Sequence, residues 1–335
     1  MPVDSLALVR KAKEEALAGK LLDRDTIIAL LDIDPWSKAG EYLGQAAREV
    51  AAAVCKNRAY LWAAIGLDFR ACPMSCNFCS LGEHWGLVGE EREFSETDIV
   101  RAVEEYVRDG VRWIVLRTTQ FYDLEKLIEL VPRIRETVPG SYQLVLNVGE
   151  FDAAVAARMA RAGVEYVYHT VRLREGIDTK FNPVERMATL RAVNSSPLQL
   201  VYLVEPVGVE HTNEEIANAF LTAMQFGAVV TGAMARVPVT GTPLGRLPVV
   251  APERLAQIAA VTRLAAGYRA PDICVHPASK LALQWGANVT VVEKGAIPRE
   301  AGCHTGSCWQ GFDAATAKEW FAACGYRVYR EGIKG

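Results

Sequence analysis

Cys72-Pro73-Met74-Ser75-Cys76-Asn77-Phe78-Cys79 places three cysteines at the spacing C-x3-C-x2-C. An apolar run at residues 60–67 precedes them, so the sequence predicts a strand that delivers three thiols into one loop. Three thiolates hold three corners of a cubane 4Fe–4S cluster and leave the fourth iron open to a bound molecule. A structural zinc site asks for four ligands, usually as two separated pairs, and no fourth stands nearby. Disulfide frameworks belong to short secreted chains. This chain has 335 residues and eight cysteines. The loop therefore reads as an iron–sulfur site.

Working outward from the loop, apolar or β-branched runs recur at residues 60–67, 111–117, 142–147, 164–170, 198–204, 228–235, 272–275 and 287–292. Helical patterns separate them at 95–109, 123–136, 152–162, 183–194, 213–226, 252–266 and 278–285. Near-continuous apolar strands alternating with amphipathic helices predict a parallel sheet covered by helices. Eight such units match a complete (β/α)8 TIM-type barrel, an α/β fold. The alternative is an open doubly wound sheet, but no Gly-x-Gly-x-x-Gly follows the first strand. Gly110, Gly163 and Gly227 each close a helix just before a strand, where a left-handed residue is wanted. The expected organisation is an N-terminal helical cap at 1–57, a barrel at 58–299 and a C-terminal extension at 300–335. In such a barrel the site lies at the strands' C-terminal ends, and the three cysteines fall there. Residues 1–57 and 300–335 are the candidates to enclose it.

Net charge is −3 and no dense basic run appears, so nucleic acid is not an expected partner. No stretch approaches the ~18–20 apolar residues of a membrane span. The start carries no basic region followed by an apolar one. The expected location is cytoplasmic, in a reducing compartment that suits an exposed iron.

The motif, with Phe78 before its last cysteine, resembles that of the radical S-adenosylmethionine (radical SAM) enzymes. Further stretches are similar to the biotin synthase, methylornithine synthase and hydrogenase-maturase branch. They are Asn57-Arg58, Leu146-Asn147-Val148-Gly149-Glu150, Gly241-Thr242-Pro243-Leu244 and Gly286-Ala287-Asn288. The resemblance spans about residues 55–300. It implies that Cys72, Cys76 and Cys79 ligate a 4Fe–4S cluster whose open iron binds S-adenosylmethionine, and that Phe78 packs near the adenine. Reductive cleavage then gives a 5′-deoxyadenosyl radical that abstracts hydrogen from a C–H bond. Where relatives carry Gly-Gly-Glu after strand two, this chain has Arg117-Thr118-Thr119-Gln120. Thr118, Thr119 and Gln120 become the candidates for the methionyl amine. Arg172 is the candidate for the methionyl carboxylate or the ribose, and Glu150 for the ribose or the amine. An external one-electron donor such as ferredoxin or flavodoxin is implied, with a small-molecule or carrier-bound acyl substrate. Oligomerisation or a partner enzyme stays open.

Other residues carry chemistry of their own. Cys303-His304-Thr305-Gly306-Ser307-Cys308 sets two cysteines in a Gly-containing loop. Cys274 and His276, two apart on a strand, share one face. Cys274, Cys303 and Cys308 are candidate ligands of a second iron–sulfur cluster, with zinc or unligated thiols as alternatives. Such a cluster points toward sulfur insertion in cofactor biosynthesis, as in biotin or lipoyl synthesis. Carbon-skeleton rearrangement, metallocofactor assembly and a non-enzymatic iron–sulfur scaffold or carrier are the other readings. His169 ends a barrel strand and Arg236 follows another, so both are catalytic candidates. Arg236 would pair with a substrate or methionyl carboxylate, or else with Glu205 or Glu150.

Overall fold

The computed structural model describes residues 4–299, the backbone of 303–304, and residues 312–329. Eight parallel strands form a closed barrel: β1 (Arg58–Gly66), β2 (Trp113–Arg117), β3 (Gln143–Asn147), β4 (Tyr166–Tyr168), β5 (Gln199–Val207), β6 (Val230–Ala235), β7 (Asp272–His276) and β8 (Val289–Ala296). Each pairs with the next, and β8 returns to β1 with Tyr60 opposite Val289 and Gly66 opposite Gly295. That closing seam is tight. A Cβ on Gly66 would lie 2.0 Å from the carbonyl oxygen of Ala296, and Gly295 has φ +77°. Glycine at both positions lets the backbones approach.

Helices cover the barrel: α4 (Glu96–Arg108), α5 (Leu124–Thr137), α6 (Ala153–Ala162), α7 (Pro183–Asn194), α8 (Asn213–Gln225), α9 (Pro252–Ala266) and α10 (Lys280–Gln284). Their ends follow from local chemistry. Ser95 and Asp98 form a reciprocal capping box at α4. Asn182 caps α7 with Pro183 in its first turn. Gly110, Gly163 and Gly227 sit at φ +75°, +105° and +68°, as their positions before strands require.

Strand alternation separates two cores. Outward side chains join the helices in one continuous cluster, which includes Leu61, Ile114, Leu144 and Leu200. Inward side chains form a second cluster of Tyr60, Trp62, Trp113, Val115, Val145, Tyr166, Val201, Leu203, Val230, Cys274, Val289 and Val291. Above it, at the strands' C-terminal ends, the inward positions turn polar: Arg117, Tyr168, Glu205, Arg236, His276 and Glu293.

Three N-terminal helices, Ser5–Leu17, Arg24–Leu31 and Lys38–Val54, pack on the flank of the barrel beside α8, α9 and α10. Gln257 and Arg254 of α9 donate to carbonyls at the end of the second helix. The helix Ala314–Ala323 lies at the other end of the barrel from the cysteines, and Arg327–Val328 pairs with Arg58 and Ala59 at the start of β1. None of these described residues lines the cavity at the C-terminal face. For residues 4–57 and 312–329 this packing departs from the expected enclosing role; the rest of 300–335 that was expected to share it lies outside the described side chains. No described helix is long and apolar enough to cross a membrane.

Candidate active site

Between β1 and α4 the chain makes the cysteine loop. Three other segments fix it. Asn77 donates through its backbone to the carbonyl of Asp178 at 2.9 Å and through its side chain to Asp178 at 3.0 Å. The backbone N–H of Leu244 donates to the Asn77 carbonyl at 2.9 Å. Ser80 donates through N–H and hydroxyl to the Pro298 carbonyl at 2.9 and 2.7 Å. Cys72, Cys76 and Cys79 are free thiols, and all three line one end of a cavity of about 1420 Å³, its open mouth included. Burial pushes the Cys76 thiol up to about 12, opposed by the Arg172 guanidinium and reinforced by the other two thiols. Burial likewise raises the Cys79 thiol. Clustered thiols, among them Cys76 and Cys79 that resist ionisation alone, are a donor set that a cationic centre would stabilise as thiolates. They fit a polynuclear cluster better than one ion. Each thiolate of a cubane binds a different iron, and among the described residues no three His, Cys, Asp or Glu are grouped to hold a single metal ion.

One cavity wall is a chain of alternating charge. Glu150 meets Arg186 at 3.0 Å, and Arg186 meets Glu175 at 3.4 Å. Arg172 lies 3.6 Å from Glu175 and 3.7 Å from Glu205. Glu205 also accepts from the hydroxyls of Tyr168 and of Thr170. Burial opposes the charge on Arg172, but Glu175, the Cys76 thiol and Glu205 hold it protonated. The facing wall centres on Glu293, which meets Arg117 at 2.8 Å, His276 at 3.3 Å, and Arg299. Burial pushes the Glu293 carboxyl up, yet Arg299, His276 and Arg117 bring it well below the usual range.

Phe78, Thr118, Thr119, Gln120, Arg172, Arg236 and Cys274 line this cavity with the three cysteines. Thr119 is held by Asp68, its N–H donating at 2.8 Å. Gln120 donates to Glu150, which stands behind it rather than on the cavity. Arg236 pairs with Glu210 at 2.8 Å and donates to the Leu244 carbonyl. Its partner is thus neither Glu205 nor Glu150, because those carboxylates are taken by Arg172 and Arg186. Gly208 makes the room, since a Cβ there would meet Glu210 at 2.3 Å and Arg236 at 2.5 Å.

One expectation is corrected. His169 does not line the cavity. It is the outward neighbour of inward Tyr168, buried against α7 with Nε2 3.2 Å from the Arg186 carbonyl oxygen. Burial, Arg186 and Arg172 keep it neutral, well below the usual histidine value. Cys274 pairs with Val289 and the Cys303 backbone with Ala296, seven residues on along β8, about 23 Å at a strand's rise. Cys308 lies outside the described residues. Arg117, Arg186 and Glu205 were not singled out from sequence as site residues. A charge closing an apolar run flagged Arg117 in principle; nothing local flagged Arg186, which reaches the site from a helix.

Residues 67–172 match the model of the radical SAM superfamily. Those residues carry a radical SAM domain. The chain is 24% identical to biotin synthase from Heliobacterium modesticaldum over 270 residues, 77% of this chain and 80% of that protein. A second biotin synthase, from Renibacterium salmoninarum, is also 24% identical over 263 residues, 75% of each chain. In structure the radical SAM fold here resembles methylornithine synthase, with TM-score 0.77 and 17% identity over 95% of this chain and 97% of that one. It also resembles the FeFe-hydrogenase maturase HydG from Carboxydothermus hydrogenoformans, with TM-score 0.70 and 15% identity over 95% and 78%. A radical SAM enzyme draws its electron from an external donor and acts on a small-molecule substrate. Its family implies a 4Fe–4S cluster and S-adenosylmethionine.

Proposed function

We propose that Cys72, Cys76 and Cys79 hold the cluster and that the cavity beside them seats S-adenosylmethionine above a small polar substrate, from which a hydrogen atom is abstracted. The convergence of three free thiols on one cavity at the barrel's C-terminal face carries this reading. When bound, the cluster and S-adenosylmethionine supply a 5′-deoxyadenosyl radical by one-electron reductive cleavage. The rest of the chemistry is positioning. Arg172 sits beside Cys76 and favours its thiolate, and it presents a guanidinium to the methionyl carboxylate. Thr118, Thr119 and Gln120 offer hydrogen bonds to the amine, with Glu150 orienting Gln120 from behind. Phe78 faces the adenine. Arg236, whose Nε is buried without a hydrogen-bond partner, anchors an anionic group of the substrate. Trp62, Val115, Val201, Leu203, Met234 and Val291 exclude water from the reacting atoms. A ferredoxin or flavodoxin serves as donor.

For the step after abstraction we favour carbon-skeleton chemistry. Among the described residues the barrel's inner cluster contains a single thiol, Cys274, too little to hold a sulfur-donating cluster there. Sulfur insertion is the second reading, favoured by the relatives named biotin synthase. Electron paramagnetic resonance of the reduced cluster, with and without S-adenosylmethionine, tests the first claim; an unchanged spectrum would sink it. Cys76→Ala should abolish 5′-deoxyadenosine. Arg236→Gln should raise KM for substrate while slow, substrate-free cleavage persists; an unmoved KM removes Arg236 from the substrate site. The two readings part on iron content. Under the second, Cys303→Ala with Cys308→Ala halves the bound iron and product gains sulfur.

A further inference from the structure

The barrel's interior is lined with rings of one kind. Its aromatic members are Tyr60, Trp62, Trp113, Tyr166, Tyr168 and Tyr329, and none is phenylalanine among the described residues. The outer core, in contrast, uses Phe69, Phe94, Phe151, Phe220 and Phe321. The inner rings form a column. Tyr168, on the cavity, lies 6.3 Å from Trp62 between ring centroids. Trp62 lies 5.7 Å from Trp113, Trp113 lies 5.3 Å from Tyr60, and Tyr60 lies 5.9 Å from Tyr329. Tyr329 is half-buried at the opposite end of the barrel, beneath the Arg58 guanidinium. Packing alone does not ask for this choice. The Trp113 indole N–H is buried with no hydrogen-bond partner, a desolvation cost that phenylalanine would avoid.

We infer that this column is an escape route that carries oxidising equivalents out of the cavity when a radical is formed without a substrate to receive it. The inference rests on the radical reading above. Tyr168 gives its phenolic hydrogen to the stray carbon radical: the O–H bond breaks, a C–H bond forms, and Tyr168 is left as a phenoxyl radical. Trp62 reduces Tyr168 by one electron and is itself refilled in turn through Trp113 and Tyr60 from Tyr329. Tyr168 regains a proton from cavity water, with Glu205, its hydrogen-bond partner, relaying it. Tyr329 loses its phenolic proton to solvent. The net change is one hydrogen-atom equivalent moved from Tyr329 to the radical. A solvent thiol restores Tyr329, and two such events oxidise two thiols to one disulfide. Contacting Tyr and Trp rings suit the task because both are oxidisable and electrons tunnel readily between neighbours.

The test uses the full-length, cluster-loaded enzyme with S-adenosylmethionine, reductant and dithiothreitol, but no substrate. Rapid-freeze electron paramagnetic resonance should show an aromatic radical that narrows when tyrosine and tryptophan rings are deuterated. Peptide mapping without thiol should find oxidation at Tyr329. Trp113→Phe and Tyr329→Phe should each inactivate after several-fold fewer abortive cycles and confine oxidation to the Tyr168 end. Tyr329→Phe removes one hydroxyl from a half-buried ring, so it reports even if Trp113→Phe folds poorly. Survival equal to wild type in Tyr329→Phe, or a signal insensitive to ring deuteration, overturns the inference. The 5′-deoxyadenosine assayed in the same samples separates the claims. Its absence defeats the radical reading, whereas its presence without aromatic oxidation defeats the escape route alone.

Discussion

The two tiers of the barrel interior are built from the same alternate strand positions and yet obey opposite rules. On β2 the inward series runs Trp113, Val115, Arg117; on β8 it runs Val289, Val291, Glu293; on β5 it runs Val201, Leu203, Glu205. Each strand passes from apolar to charged within about 13 Å of its length, at ~3.3 Å per residue. The lower tier is buried and gains by burying area. The upper tier's charged groups are held by partners within the wall rather than by solvent, which suits the charged ligands of the proposed function. A barrel can thus carry a dense charge network only where the tier beneath supplies the stability.

Removing the hub of the upper tier should cost most. Glu293→Gln leaves Arg117 and Arg299 without their shared carboxylate, and breaking a buried pair typically costs about 3–5 kcal/mol. Denaturant unfolding of the metal-free protein measures it; a loss below about 1 kcal/mol, the size of a surface pair, would mean that the upper tier is solvated. In the lower tier, Leu203→Ala should cost about 2–3 kcal/mol, the lower part of the range for truncating a buried leucine, because the cavity already lies on one side. A larger loss for Leu203→Ala than for Glu293→Gln would invert the comparison. The smallest effect is on pH. Burial depresses both His169, outside the barrel wall, and His276, in the upper tier, below the ordinary 6.5. Below that pH the unfolded chain takes up protons at these imidazoles that the folded chain refuses, so stability declines as pH falls. The slope approaches about 1.4 kcal/mol per pH unit for each histidine kept neutral. His169→Gln should flatten it; an unchanged slope would place the proton uptake elsewhere.

Much of the fold was legible because its signals are local. All eight strands sit on the apolar runs, and α7 and α9 start and stop at the residues their prolines and caps announce. The cysteine loop was legible for the same reason. What was not legible was direction. A strand covered on both faces reads as one apolar run, so sequence alone does not tell Tyr168, facing the cavity, from His169, facing a helix. A single-residue offset decides between an active-site side chain and a packed one. Pairing across the barrel was equally hidden. Arg117 and Glu293 lie 176 positions apart, and Arg186 reaches Glu150 across 36. Charge patterns on one helix or strand carry no record of such partners.

The anchoring of the cysteine loop bears on how the protein matures. The three cysteines leave the ribosome early, but Ser80 bonds to Pro298, 218 positions later, and Asn77 to Asp178, 101 later. Until the last strand has closed on the first, the loop lacks the contacts that bring its thiols to one cavity. Iron delivered to a nascent chain would meet three cysteines in no fixed arrangement. With the proposed cluster at this loop, its insertion would wait on the finished barrel.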